Sequence, residues 1–600
     1  MANGIKNGNF LRVLFTADMH DRILPYKAVR NGRITMIGGY ARLKTMIDRY
    51  RTESCVVLDG GDFSMGSLFN GIYSSTAPDL SLLGMMGYDA VTIGNHEFDY
   101  GVDAFASMLR HAENPPQILC ANIEFTDDSD SRALKEALDA RGCLPYMIRD
   151  IGGFKVGITG MMGHESVGDI AYPGSVTFTK EKKALSRTIS EMKNKGCEFT
   201  IVLSHGGMND DPDKAEDLQL VESIDGVDVL ISAHSHTALK RPVVKNDTVI
   251  CSCGCNCEYL GLLDINMIDG TVLRYELIPV DDSYAENAEI NARIEDYKEI
   301  VQKDFLDAYG LKFDDVLCTS DICLDDLHDD NYHFGNYNIA DLVTDSYVHA
   351  AVEAGCGENV IGISASGIIR DTIYAGDVTL PDAYNIVPLG RSSDGVIGYP
   401  LIATKLSGIE LRELCEIDAS LGRMRADSQL FFSGLRYTYS DKRAFMNRVI
   451  DVFTKDEKGA WKPVRDDKTY TVVCNQYMAI MMPQITSKSY GFLKIQVKDE
   501  NGAKTNDLDK LLLKDKNGNT VREWTAFVDF LLSFRGKLPE AYLAARPCKI
   551  EEMNLNPKTY LKHPSKFGKL IYGAGAVAAG ALVIAGSALA SEIFSNRRGR

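Results

Sequence analysis

The sequence predicts an α/β protein. Its first half reads as a layered domain with sheets buried on both faces, and a second α/β-type region follows. Short runs rich in Val, Ile and Leu alternate with longer segments of helical periodicity. Each run closes on a polar or glycine-containing turn, as strands of a doubly covered sheet do. The composition, 45% hydrophobic and 25% charged, excludes wholesale disorder, collagen and a pure coiled coil.

In chain order the strand candidates are RVLFTA (12–17), CVVLD (55–59), AVTIG (90–94), QILCANI (117–123), KVGITG (155–160), FTIVLSH (199–205) and VDVLISAH (227–234). Helical patterns such as GGYARLKTMIDRY (38–50) and ALSRTISEMKNKG (184–196) lie between them. Residues 1–285 are read as the first domain. The charged stretch ENAEINARIEDYKEIVQ predicts a linker helix within 286–312, and residues 313–545 are read as the second domain. The acidic run LDDLHDD (324–330) reads as a solvated loop.

The net charge is 65 − 83 = −18. Residues 546–600 hold nine Lys or Arg and three Glu, a balance of +6, so residues 1–545 carry −24. An acidic body argues against a nucleic-acid polymer as partner. A basic tail on such a body points to a membrane surface. Leu570 to Ser591 is 22 residues without a charge. A spanning helix needs about 20 mostly apolar residues, so a transmembrane helix is expected at 570–593. A basic juxtamembrane linker would occupy 546–569, and Tyr572 and Phe594 would sit at the interfaces. At the other end LRVLF is too short for a secretory core. The expected arrangement is a tail anchor with a cytoplasmic body.

Most of the fourteen cysteines lie singly in apolar runs. The exception is Cys251, Cys253, Cys255 and Cys257 in CSCGCNC. Alternation along one strand would point all four the same way, unlike the paired turns of a zinc site. Packing of a strand and its loop is the expected role, with a soft-metal or redox site as the alternative.

Histidine placement decides where the chemistry lies. Of eleven histidines, five (His20, His96, His205, His234 and His236) lie at or just past the C-terminal end of a predicted strand, where α/β domains bind ligands. Asp18, Asp62, Asn95 and Asp99 accompany them. A dinuclear metal site needs imidazole and oxygen donors converging from several segments, with one carboxylate able to bridge. Asp18, His20, Asp62, Asn95, His205, His234 and His236 supply seven such donors.

FTADMHD, GGDFSMGS, GNHEFDYG, LSHGG and SAHSHT, in that order, resemble the motifs of the calcineurin-like metallophosphoesterases, and within them the 5′-nucleotidase/UDP-sugar hydrolase branch. The resemblance continues into ASGIIRDTIYAGDVTLPDAYNIVPLG (365–390) and FFSGLRYTYS (431–440), similar to the branch's C-terminal substrate domain. It implies a layered α/β/β/α metallophosphoesterase domain, a linker helix and a second α/β (α+β) substrate domain. It also implies two divalent metal ions, Mn, Zn, Fe or Co. One would be held by Asp18, His20, Asp62 and His236. The other would be held by Asp62, Asn95, His205 and His234, with Asp62 bridging. His96 and Asp99 match the family's catalytic dyad. The implied reaction is hydrolysis of nucleoside 5′-monophosphates or related phosphate esters, with a metal-bound water as nucleophile.

For the substrate domain the resemblance implies Arg370 as phosphate ligand, Tyr477 as a base-stacking ring, and Leu389 and His333 at substrate-facing positions. Here the pattern departs. Ala365 stands where the family has an Asn, His333 borders the place of an Arg, and Leu389 replaces a ring. Ala233 stands where a Gly is usual. The departures at Ala365, His333 and Leu389 leave open a phosphoesterase acting on a non-nucleotide or UDP-sugar substrate, or a membrane-anchored binding protein with a relaxed pocket, and the CSCGCNC run leaves open a thiosulfohydrolase.

Overall fold

The computed structural model describes residues 10–30, 32–329, 332–392, 394–424, 428–456, 458–488, 495–553, 557–560 and 562–573. The chain divides into two units, residues 1–313 and 314–600.

In the first unit Phe10–Thr16, Cys55–Asp59, Ala90–Thr92 and Gln117–Leu119 run parallel. Tyr259–Asn266 pairs antiparallel with the first of these and carries Val272–Pro279 outside it, completing a six-stranded sheet. A second six-stranded sheet is built on Phe154–Met162, Phe199–His205, Val229–Ser232 and Thr248–Cys251, all parallel. Tyr146–Ile151 and Val243–Lys245 close its edges antiparallel. The two sheets share one core, in which Val13, Phe15, Val56 and Leu58 meet Ile158, Ile201, Leu203 and Ile231. Behind the second sheet, Leu185, Ile189 and Met192 of helix Glu181–Asn194 and Leu220 of helix Glu216–Ser223 pack on Val202, Leu230 and Ile250. Burial from both sides explains why the parallel strands read as unbroken apolar runs; every residue of Phe199–His205 is buried.

The antiparallel strands escape a search for apolar runs for the converse reason. Val272–Pro279 and the hairpin Tyr26–Arg30/Arg33–Ile37 are mostly exposed or half-buried. Helix Ala288–Asp304 falls within the segment expected to link the domains. It buries Ile290, Ile294, Tyr297 and Val301 along one stripe and is capped by the Asn287 side chain. It packs inside the first unit, against helices Tyr40–Tyr50 and Pro78–Met86.

The second unit has a mixed sheet in the order Leu401–Ser407, Thr469–Asn475, Val360–Ala365, Leu430–Ser433. A second four-stranded sheet joins Trp461–Pro463, Val449–Lys455, Leu435–Tyr439 and Lys549–Glu551. Helices Asn338–Glu353, Gly408–Ile417 and Glu523–Ser533 complete the unit. Inside it a buried ion pair, Lys549 Nζ to Asp418 Oδ2 at 3.0 Å, is satisfied by Tyr437 and Gln429.

The expected transmembrane helix is corrected. No helix among the described residues is long and apolar enough to cross a membrane. The start of the predicted span closes the short helix Lys566–Gly573, and residues 574–593 lie outside the described residues. The physical reason lies in the flank: the basic residues that suggested a membrane surface have partners on the acidic body instead, Lys562 pairing with Asp451 and Lys566 with Glu413, while Ser565 bonds the backbone at Met446.

Candidate metal centre

The donors sit where the parallel strands end. Asp18 and His20 follow Phe10–Thr16, Asp62 follows Cys55–Asp59, and Asn95 and His96 follow Ala90–Thr92. His205 ends its strand, and His234 and His236 follow Val229–Ser232. Five of the seven sit in the left-handed region: Asp18 (φ 50°), His20 (49°), Asp62 (53°), His234 (75°) and His236 (55°). Each such residue costs ~1–3 kcal/mol and persists only where its surroundings over-determine it.

Those surroundings are visible. Asp18 N–H donates to Gly61 O and His20 N–H to Asp62 O, both at 3.0 Å, so the first two loops are laced together. His234 N–H donates to both Asp18 carboxylate oxygens, at 2.9 and 3.0 Å. Buried Glu97 accepts from Asp62 N–H (3.1 Å), Ser64 N–H (3.2 Å) and Gly94 N–H (2.6 Å), fixing the second and third loops together. Gly94 has no substitute, because a Cβ there would meet Asp62 Oδ1 at 2.1 Å. Ala233, by contrast, has no left-handed backbone and needs no glycine.

Three donor groups result, each with ligand atoms mutually within 4.8 Å: Asp18, His20 and His236; Asp62, His205 and His234; and His20, Asp62 and His96. His20 Nε2 and His236 Nε2 converge to 2.9 Å. His205 Nδ1–H donates to Gly60 O at 2.8 Å, which turns Nε2 toward Asp62 Oδ2, 2.9 Å away. The Asn95 Oδ1 atom is buried without a hydrogen-bond partner. Hard oxygens and imidazoles, with the buried Asn95 oxygen left over for a cation, fit a pair of divalent cations. His96 Nδ1 is 2.7 Å from Asp99 Oδ2, while its Nε2 is 4.0 Å from Asp62.

Electrostatics follow from burial and from these neighbours. Burial pushes the Asp18 carboxyl well up, with Asp62's charge adding to it. Asp62, though buried, is held well below the usual carboxylate range by facing His205 and His96. Burial alone would lower the His205 pKa, but Asp62 and then Asp18 raise it to about 10. Burial and the neighbouring His205 lower His234 to about 4. A metal ligand must be neutral imidazole. His234 is ready at pH 7, whereas His205 must first lose a proton. Metal loading at pH 7 is therefore expected to release at least one proton, and apparent affinity to rise up to tenfold per pH unit towards pH 10. Titration calorimetry in buffers of different ionisation enthalpy checks this; a heat independent of buffer would refute it.

The cysteine run is corrected in geometry. Only Cys251 lies in a strand, and Asn256 and Cys257 turn back in left-handed conformation. Burial raises the Cys257 thiol to about 12 and Cys253 well above its ordinary value. Such thiols stay protonated and pack. The turn also serves the site, since Asn256 N–H donates to Asp18 O at 2.7 Å.

The other expected site residues lie in the second unit. Arg370 N–H donates to Ile386 O at 2.8 Å, beside the segment that carries Leu389. Leu389 is buried, and its carbonyl accepts from Tyr399 N–H at 2.9 Å. Tyr477 stacks on Tyr399, with ring centroids 5.5 Å apart and planes 27° apart. His333 is exposed, against Tyr337. The motif reading gave no role to Glu97, although GNHEFD displays it. It also missed Asp169, whose carboxylate lies 3.8 Å from His234 Nε2, and Tyr399. The last two carry no local signal, because only folding brings them to their partners.

Residues 11–238 match the calcineurin-like phosphoesterase family, and residues 319–482 match the 5′-nucleotidase, C-terminal domain family. The chain belongs to the calcineurin-like phosphoesterases that carry a 5′-nucleotidase C-terminal domain. This phosphoesterase is 25% identical over 474 residues to the trifunctional nucleotide phosphoesterase protein of Bacillus subtilis, covering 73% of this chain but only 30% of that longer protein. An apyrase of Anopheles gambiae is 26% identical over 514 residues, covering 80% of this chain and 83% of the relative. The crystal structure of a 5′-nucleotidase precursor from Thermus thermophilus superposes with a TM-score of 0.67 at 23% identity, over 91% of this chain and all of the other, and shows the same fold. The phosphoesterase is accordingly a hydrolase of phosphoric esters.

Proposed function

We propose that this phosphoesterase hydrolyses nucleoside 5′-monophosphates or closely related phosphate monoesters at a dinuclear site. The reading rests on the convergence of donors from five chain segments on buried Asp62, with the His96–Asp99 pair at its rim. Asp18, His20, Asp62 and His236 would hold one cation, and Asp62, Asn95, His205 and His234 the other. Bound divalent cations supply Lewis acidity towards the phosphoryl oxygens and lower the pKa of water. Mn, Zn, Fe and Co all suit this donor set.

The chain's own residues do the rest. The Gly60 carbonyl fixes the His205 tautomer, and the lacing of the first two loops holds the carboxylates in place before any cation arrives. Asp99 orients His96, leaving Nε2 to neutralise charge on the phosphoryl group or to give a proton to the leaving oxygen. In the second unit, the Arg370 guanidinium suits bidentate contact with a phosphate. Tyr477, stacked with Tyr399, supplies aromatic surface suited to a base.

A specific observation favours a second reading of the substrate alone. Leu389 supplies no ring, and Tyr399 covers one side of Tyr477, so the grip on a base is weaker than a double aromatic clamp. A phosphate ester without a nucleobase fits that pocket as well. The test is phosphate release by purified protein loaded with Mn²⁺ or Zn²⁺, from AMP, UDP-glucose, 4-nitrophenyl phosphate and glycerol phosphate. AMP turning over faster than glycerol phosphate supports the nucleotide reading, and the reverse order supports the second. No release from any substrate by protein with two bound metals would overturn both. Arg370→Ala is expected to lower kcat/KM for all substrates together by roughly 10- to 100-fold, the value of a lost charge-assisted contact.

A further inference from the structure

One face of the four-stranded sheet that contains Leu435–Tyr439 and Val449–Lys455 borders a cavity of about 230 Å³, apart from the residues expected to carry the phosphoesterase reaction. Phe432, Pro547 and Cys548 line it with apolar surface, and Arg436, Lys455 and Trp461 form its polar wall. The strand register explains the wall. Arg436 lies opposite Phe453, and Lys455 opposite Trp461, so these side chains share one face of the sheet. The Arg436 guanidinium stacks 4.5 Å over the Trp461 ring and 5.4 Å from Phe453, and Lys455 Nζ is 5.5 Å from Trp461.

Charge is what makes this cavity unusual. Arg436 Nε is buried without a hydrogen-bond partner, and among the described residues neither Arg436 nor Lys455 has a carboxylate within ion-pair distance. The chain carries −18 overall, so two unneutralised cations side by side on it are not explained by general composition. Arg546, at the cavity's other side, is neutralised by Asp345 at 2.9 Å and Asp341 at 3.4 Å. A guanidinium whose Nε is buried and unpaired gains from an anion, and flat Arg and Trp faces favour a flat partner.

The site is separate from the residues expected to grip substrate. Ser433 and Gly434 lie at the start of strand Val360–Ala365, where Ser433 pairs with Gly362 and a Cβ on Gly434 would meet Val360 O at 2.7 Å. Arg370 lies past the other end of that strand. At about 3.3 Å per residue, the two regions are roughly 15 Å apart.

We propose that this cavity binds a small aromatic anion, a single ring bearing a carboxylate or phosphate-type group. The ring lies against Trp461 and the apolar floor, and the anionic group faces Arg436 and Lys455.

The chain makes a direct test easy. It has two tryptophans, and Trp524 is fully buried, so ligand-dependent emission reports on Trp461. The probes are phenylphosphonate and benzoate, with inorganic phosphate and benzamide as charge-only and ring-only controls. Both aryl anions are expected to change the emission saturably with midpoints at or below about 1 mM. Both controls should be at least ~10-fold weaker, and raising the salt should weaken the aryl anions. Arg436→Met with Lys455→Met is expected to weaken aryl anions at least ~10-fold while phosphate release stays unchanged, which also shows that the variant folds. Trp461→Phe removes the signal. No saturable change, an unchanged midpoint in the double variant, or equal binding of benzamide or of inorganic phosphate would overturn the proposal. Should the double variant not fold, Lys455→Met alone, at an exposed position, and the salt dependence of the native protein decide it.

Discussion

Asp62→Asn is expected to reduce phosphate release by roughly 10³- to 10⁴-fold, about 4–5.5 kcal/mol of transition-state stabilisation. Two donor groups meet at this one side chain. Its Oδ1 accepts from His96 N–H at 2.8 Å and its Oδ2 faces His205 Nε2 at 2.9 Å. Asn is the right replacement because it tolerates a φ of 53°, keeps the oxygen that His96 N–H needs, and removes only the charge. Without that charge the carboxylate proposed to serve both cations is lost, and His205 loses the neighbour that most raises its pKa. Elemental analysis should then find fewer than two metals per chain, with thermal unfolding close to that of the native protein. Two retained metals and full turnover would show that Asp62 does not bridge.

His96→Asn is the second large effect, about 10²- to 10⁴-fold in kcat, the range for a positioned acid or base. Its diagnostic feature is metal content. His96 Nε2 lies near Asp62 and His20, so the geometry allows it to be a ligand as well as an acid. The Nδ1 bond to Asp99 orients the ring in either role, but His96 Nε2 stands 4.0 Å from the Asp62 carboxylate that His205 Nε2 meets at 2.9 Å, which favours the acid. Two metals per chain are therefore expected in the variant. A leaving-group comparison sharpens the test. If His96 protonates the departing oxygen, the loss is larger with AMP, which leaves a basic alkoxide, than with 4-nitrophenyl phosphate, which does not need the proton. Loss of one metal would make His96 a ligand, and an equal loss on both substrates would confine it to charge stabilisation.

The sequence was most legible where burial is symmetrical and spacing is local. CVVLD and FTIVLSH coincide with observed strands because parallel strands covered on both sides have no polar face. The motif His96–Glu97–Phe98–Asp99 is one 3₁₀ turn, so the three-residue spacing already places Asp99 beside His96. Illegible features depended on partners distant in the chain. Tyr399 gains its meaning only by stacking on Tyr477, Asp169 only by facing His234, and Arg436 and Lys455 only by having no carboxylate in ion-pair reach among the described residues. The tail misled for a related reason. Lysines flanking an uncharged segment look the same whether they meet lipid headgroups or Asp451 and Glu413.

The sequence by itself determined the layered α/β class, the chemical type of the donors and their order along the chain. These depend on side-chain identity and on short-range periodicity. The tertiary structure alone decided how those donors are held. Five of them occupy strained left-handed backbone, and contacts from segments hundreds of residues apart, such as Asn256 to Asp18 and His234 to Asp18, keep them there. Strain of that kind is stable only inside a finished fold, because the local chain always prefers to release it.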